Sequence, residues 1–260
     1  MKKDKTNPSK EGEMKQVKYQ KALFVPDVHA PFHDKKWLAS LLVFIRYFKP
    51  KTIFIMGDVI DFYAISRFVR DPKRSLELQS EIDSAVDVLR QIKKSSGNAK
   101  IILLRGNHEH RLQKYLWTTA KELSGLDCLD VPELLHLKEM GIEYAEKGRV
   151  NFKGLIIKHG QIVRKFSAYT AKGELEKHGR SGVSAHTHRA GTHYSNKDGG
   201  YYVWMEFGCG CRLDPEYMEG ETPDWQQGWG VGFFKERSER YFLNFVPFVN
   251  GKAFYNGNEF

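Results

Sequence analysis

From residue 21 onward, short apolar runs alternate with segments of helical periodicity, and that alternation leaves few architectures open. "KALFV" (Lys21–Val25), "KTIFIM" (Lys51–Met56) and "KIILL" (Lys100–Leu104) are short and continuous, as expected of strands buried on both faces. Between them, "KKWLASLLVFIRYF" (Lys35–Phe48) sets Trp37, Leu38, Leu41, Leu42, Ile45 and Phe48 on one helical face. "LELQSEIDSAVDVLRQIKK" (Leu76–Lys94) predicts a second helix, closed by Gly97-Asn98. Strands that alternate with amphipathic helices pair in parallel within a layered α/β fold.

Residues 112–139 are helical in flavour with loop-like pieces. "GIEYA" (Gly141–Ala145) and "LIIKH" (Leu155–His159) resume the strands, followed by a helix over Ser167–His178 and a very short strand, "GVSA" (Gly182–Ala185). Past residue 200 the pattern changes to strands without intervening helices, and Asn250-Gly251 signals a type I′ hairpin. The C-terminal third is therefore expected to be largely antiparallel β. Residues 1–18 carry six lysines against three acids and almost no apolar side chain, which predicts a disordered basic tail. The expected organisation is that tail and a single domain over 19–260, with its motif core at 22–189 and a β-rich part at 200–260.

No apolar stretch approaches the roughly 20 residues of a membrane span, and the N-terminus lacks the apolar core of a signal peptide. Three cysteines, an odd number in a long chain, fit a reducing cytoplasm better than a disulfide scaffold. The net charge of +9 suits an anionic partner such as nucleic acid, or simply solubility.

Chemistry collects where the strands stop. The first run leads to Asp27-Val28-His29, the second to Gly57-Asp58-Val59-Ile60-Asp61, and the third to Arg105-Gly106-Asn107-His108-Glu109. "LIIK" meets His159-Gly160, and "GVSA" gives His186-Thr187-His188. Taken singly, each motif is as well explained by a turn, a cap or a core histidine. Together they deliver carboxylate, imidazole and carboxamide groups to the edge of an α/β sheet where ligands gather.

In that order, D-x-H, G-D-x-x-D, G-N-H-E, H and A-H-x-H, the motifs resemble the calcineurin-like metallophosphoesterases. The resemblance spans about residues 22–189; Ala185 stands where that family usually has glycine. "GDVIDFYAISRF", "GNHEHRL" and "CRLDPEY" look like its phage and prophage members. The resemblance implies a four-layer α/β sandwich, with mixed sheets flanked by helices. It also implies two divalent metal ions, Mn²⁺ first and Fe, Zn²⁺ or Ni²⁺ as alternatives, that activate a water for attack on phosphorus. One ion would be held by Asp27, His29 and His188 and the other by Asn107, His159 and His186, with Asp58 bridging. His108 would protonate or stabilise the leaving oxygen, and Asp61 would orient it. Arg111, Arg105 and Arg67 are candidate substrate contacts.

The protein-phosphatase branch carries an arginine directly after the second aspartate of G-D-x-x-D; here that position is Phe62. The expected function is therefore a phosphodiesterase or nuclease acting on nucleic acid in the cytoplasm, the host's if the chain is phage-encoded. A phosphomonoesterase is the alternative, with a non-catalytic binding protein on the same fold as a remoter one. Cys209-Gly210-Cys211 reads as a pair of buried, reduced thiols, and "DWQQGWGVGFF" (Asp224–Phe234) as core aromatics, with base stacking as the other reading.

Overall fold

The computed structural model describes residues 18–68, 71–73, 77–198, 200–214, 221 and 223–260. The expected tail, Lys18 apart, lies outside them. Strands β1 (Tyr19–Val25), β2 (Thr52–Ile55), β3 (Lys100–Leu104) and β4 (Ile142–Ala145) pair in parallel. Their sheet is extended on the β1 edge by antiparallel strands from the C-terminus: β10 (Gly228–Lys235), β11 (Tyr241–Val249), β12 (Lys252–Tyr255) and β13 (Asn258–Glu259). A second sheet runs β5-β6-β7-β9-β8, built from Arg149–Phe152, Leu155–Lys158, Gly182–Ser184, Gly200–Phe207 and Ala190–Lys197 respectively.

Side-chain alternation explains why the sheets stack. Leu23, Val25, Ile53 and Ile55 point into a core shared with helices α1 (Lys35–Phe48) and α2 (Leu78–Ser95). Their neighbours Ala22, Phe24, Phe54 and Met56 point the other way and meet Leu155, Ile157, Val183, Met205 and Phe207 of the second sheet. That sheet's outer face packs Ile156 and Trp204 on Ala171 and Leu175 of helix α4 (Tyr169–His178). The result is helix, sheet, sheet, helix, the expected four layers.

Asn250 and Gly251 both take positive φ, 52° and 83°, as a type I′ turn requires. The C-terminal third departs from the expectation at β9, which pairs in parallel with β7 and antiparallel only with β8. Among the described residues no helix is long and apolar enough to cross a membrane.

Candidate metal centre

Five strand ends meet at one rim. Asp27 and His29 follow β1, Asp58 and Asp61 follow β2, and Asn107 and His108 follow β3; His159 follows β6, and His186 and His188 follow β7. Asp58 Oδ2 lies 3.3 Å from His159 Nε2, 3.8 Å from His29 Nε2 and 3.9 Å from His108 Nε2. Asp27 Oδ1 lies 3.8 Å from His188 Nε2, and the Asp27 carboxylate accepts the His186 backbone N–H at 2.9 Å. Asn107 Oδ1 lies 2.9 Å from His159 Nε2. All seven expected ligands are thus gathered around Asp58. Among the described residues four sets of three donor atoms are close enough to hold an ion, and two consist of expected ligands alone: Asp27, His29 and His188, and Asp58, His159 and His186.

The backbone bends hard to achieve this. His29, Asp58, His186 and His188 all sit in the left-handed region, with φ of 53°, 50°, 74° and 59°. Non-glycine residues adopt it at a cost and mainly where surrounding structure enforces it, as at functional sites. Glycine is required between two of these turns. A Cβ at Gly106 would fall 2.5 Å from the Asp58 backbone nitrogen and 2.7 Å from Glu109 Oε2.

Protonation geometry shows that the cluster fits cations. His29 Nδ1–H donates to Asp61 Oδ2 at 2.9 Å, which turns its Nε2 toward the cluster, only 3.0 Å from His188 Nε2. Two imidazole lone pairs cannot face each other at that separation without a proton or a metal between them. Burial disfavours a charged ring, yet the hydrogen bond and charge of Asp61 push the His29 pKa up to about 10. The gap thus favours a positive charge, from a proton or a metal ion. His188 stays neutral, its pKa driven well down by burial and by the His29 charge.

The second group repeats the arrangement. His159 Nδ1–H donates to the Met56 carbonyl at 3.0 Å and its Nε2 faces Asn107 and Asp58. Although burial opposes it, the Asp58 charge raises this ring's pKa to about 9. In each group one histidine is thus pushed toward its protonated form, so both groups favour added positive charge. The donors are oxygen and nitrogen throughout, which suits first-row divalent ions, and outward-held Nδ1–H groups are the usual support of metal-binding histidines.

His108 stands at the open side and is half-buried. Its Nδ1–H donates to the Asp61 carbonyl oxygen at 2.7 Å, and its Nε2 accepts from Arg111 at 3.1 Å. Burial lowers its pKa to about 4. The Asp61 carboxylate is 3.7 Å from His108 Nδ1 and is spent instead on His29, so Asp61 steers His108 through its backbone.

Of the three candidate arginines, only Arg111 reaches the cluster; it also bonds the Asp61 carbonyl at 3.0 Å. Arg67 turns to Thr118, and Arg105 lines a separate cavity of about 180 Å³ with Gln113, Asp130 and Tyr144. Phe62 is fully buried.

Two further residues support the site, Glu109 from the G-N-H-E motif and Trp225 from outside the motifs. Glu109 is buried, and its carboxylate accepts the backbone N–H groups of Asp58, Val59 and Gly106 at 2.9, 2.7 and 2.7 Å, tying two ligand loops together. Besides its place in the motif, its position three residues after Gly106, at the start of helix α3 (Glu109–Thr119), is the sequence signal for this role. Trp225 lies edge-on to the His188 ring at 4.2 Å, whereas Trp229 and Phe234 of the same stretch are core residues.

The chain is similar to several known proteins. The chain is 24% identical over 254 residues to the Gene 54 protein of Mycobacterium phage L5, covering 92% of this chain and 97% of that one. It is 26% identical over 251 residues to the Gene 54 protein of Mycobacterium phage D29, with 92% and 98% covered. Among solved structures it is similar to Vacuolar Protein Sorting 29 from Cryptosporidium parvum, at a TM-score of 0.48 and 13% identity over 93% of this chain and 98% of that one. A Vps29 single mutant from Entamoeba histolytica gives 0.38 and 11%, over 88% and 100%. The family model for calcineurin-like phosphoesterase matches residues 21–207, which include every residue of the cluster. The chain belongs to the calcineurin-like phosphoesterases, a family of metal-dependent phosphoester hydrolases.

Proposed function

We propose that this chain is a phosphodiesterase that cleaves nucleic acid. The observation that carries the reading is the pairing of a two-group donor cluster with one guanidinium and one neutral imidazole at its open side. Asp27, His29 and His188 would hold one divalent ion, and Asn107, His159 and His186 a second, with the Asp58 carboxylate between the groups. Such ions, when bound, supply Lewis-acid charge to phosphoryl oxygens and lower the pKa of a water.

The chain's own residues account for the rest. Arg111 is positioned to take a phosphoryl oxygen, because its NH1 is anchored on the Asp61 carbonyl beside the cluster. A phosphate that engages Arg111 draws NH2 away from His108 Nε2. That nitrogen is then free to take a proton from solvent, favoured by the negative phosphate beside it, and to pass it to the leaving oxygen, while Nδ1–H stays fixed on the Asp61 carbonyl. A diester bears one negative charge and a monoester close to two, and a single guanidinium suits the diester. Phe62 is buried where the phosphatase branch places a further arginine, which supports the same preference. The chain's +9 charge favours a polyanionic substrate.

The test is Mn²⁺-dependent hydrolysis of bis-p-nitrophenyl phosphate against p-nitrophenyl phosphate, followed by single-stranded DNA, duplex DNA and RNA at increasing salt. Preference for the diester and salt-sensitive cleavage of at least one nucleic acid are expected. Preference for the monoester, with all three polymers intact, would overturn the reading.

A further inference from the structure

We propose that Cys209, Cys211 and His188 form a separate site for a thiophilic d¹⁰ cation such as Zn²⁺, back to back with the oxygen–nitrogen cluster. It does not depend on which phosphoester the chain cleaves.

The site is built from the far side of a ring already described. His188 turns Nε2 to His29 and Asp27, and its other nitrogen, Nδ1, faces Cys211 Sγ at 3.8 Å. A ligand atom of His188 and both sulfurs lie within 4.8 Å of one another. In a tetrahedral zinc site, bonds of about 2.3 Å to sulfur and about 2.0 Å to nitrogen set the S···N separation near 3.5 Å. The Cys211–His188 spacing needs to close by only a few tenths of an ångström, and the two separations that involve Cys209 start within 4.8 Å.

The tripeptide that carries the thiols is held from several sides. Gly210 N–H donates to the Asp27 carbonyl, and the Gly210 carbonyl accepts from Asp34 N–H, both at 2.9 Å. Gln227 donates to the Cys211 carbonyl at 2.8 Å, and Cys209 N–H donates to the Gln226 carbonyl at 3.0 Å. Glycine is required in the middle, since a Cβ there would fall 2.4 Å from the Trp37 ring. Cys209 and Cys211 are both buried, and Trp225 lies against the His188 ring. The thiols are thus preorganised and shielded, and the three protein donors leave the fourth tetrahedral position to a water.

Donor chemistry keeps the two sites apart. Carboxylate, carboxamide and imidazole suit Mn²⁺ or Mg²⁺, while two thiolates and an imidazole select zinc-like ions. The shared ring couples them: with both nitrogens bound His188 would bridge as an imidazolate, and its ring proton and the two thiol protons are released to solvent on loading.

Zinc-edge X-ray absorption tests the assignment. Cys128, exposed and the only other cysteine, is first removed as Cys128→Ser. The cluster is saturated with Mn²⁺ and one equivalent of Zn²⁺ is added. Sulfur scatterers at about 2.3 Å are expected, and they should vanish in the Cys128→Ser protein that also carries Cys209→Ser and Cys211→Ser. Zinc surrounded by nitrogen and oxygen alone in the Cys128→Ser protein would overturn the proposal and leave the thiols as packed apolar groups. That outcome is read with both thiols in place, so it does not depend on whether the further variants fold.

Discussion

Replacing Glu109 by glutamine tests how the ligand loops are fixed. The carboxylate accepts three buried backbone N–H groups, two on Oε2 and one on Oε1. Glutamine keeps one acceptor oxygen. In its better orientation that oxygen serves Asp58 and Gly106, and the side-chain NH₂ faces the Val59 N–H. One donor is then stranded at about 1–3 kcal/mol, and the other two bonds fall from charge-assisted to neutral, about 1 kcal/mol each. Against this, burial and the neighbouring Asp58 charge already raise the Glu109 pKa, so a neutral side chain recovers part of the loss. A net destabilisation of roughly 2–4 kcal/mol follows. Urea unfolding of the metal-stripped protein measures it, and Mn²⁺ affinity should fall as well because the Asp58 backbone loses its tether. A change below about 0.5 kcal/mol, within the range of ordinary surface substitutions, would refute the role given to Glu109.

Further outcomes follow from the same geometry. His108→Ala should lower kcat roughly 10²–10⁴-fold while Mn²⁺ binding, followed by calorimetry, is retained. Arg111→Ala should cost roughly 10- to 100-fold in kcat/KM, the worth of a charge-assisted hydrogen bond, in steady-state kinetics. In the metal-free protein the raised pKa values of His29 and His159, about 10 and about 9, stabilise the fold fully below their unfolded value of 6.5. That stabilisation is lost as pH rises through the folded values, so the chelator-treated protein should melt at lower temperature at pH 9 than at pH 7. Because both rings must shed a proton to bind metal, Mn²⁺ affinity should instead rise over that interval. Calorimetry in buffers of different ionisation enthalpy should show protons released on binding.

What the sequence discloses depends on whether a feature has a period or a chemical type. Lys35–Phe48 and Lys100–Leu104 are helix and strand at the expected residues because their apolar spacing has one solution. β8 was not legible: Ala190–Lys197 is an edge strand of polar and small residues, stabilised by its pairing with β9 rather than by an apolar pattern. Within the site, ligand identities follow from residue types at strand ends. The left-handed backbone at His29, Asp58, His186 and His188 does not, since no glycine marks those positions. Asp61 also divides its work unexpectedly, carboxylate to His29 and carbonyl to His108, because two histidines from different loops converge on one turn. Arg67 and Arg105 could be sorted from Arg111 only once helix α3 had been placed.

The direct trial of the account is an anomalous-scattering map, recorded at the manganese edge, from crystals soaked in Mn²⁺. Two peaks are expected, one bounded by Asp27, His29 and His188 and the other by Asn107, His159 and His186, with the Asp58 carboxylate reaching both. A single peak, or manganese bound away from Asp58, would contradict a centre built for a pair of ions.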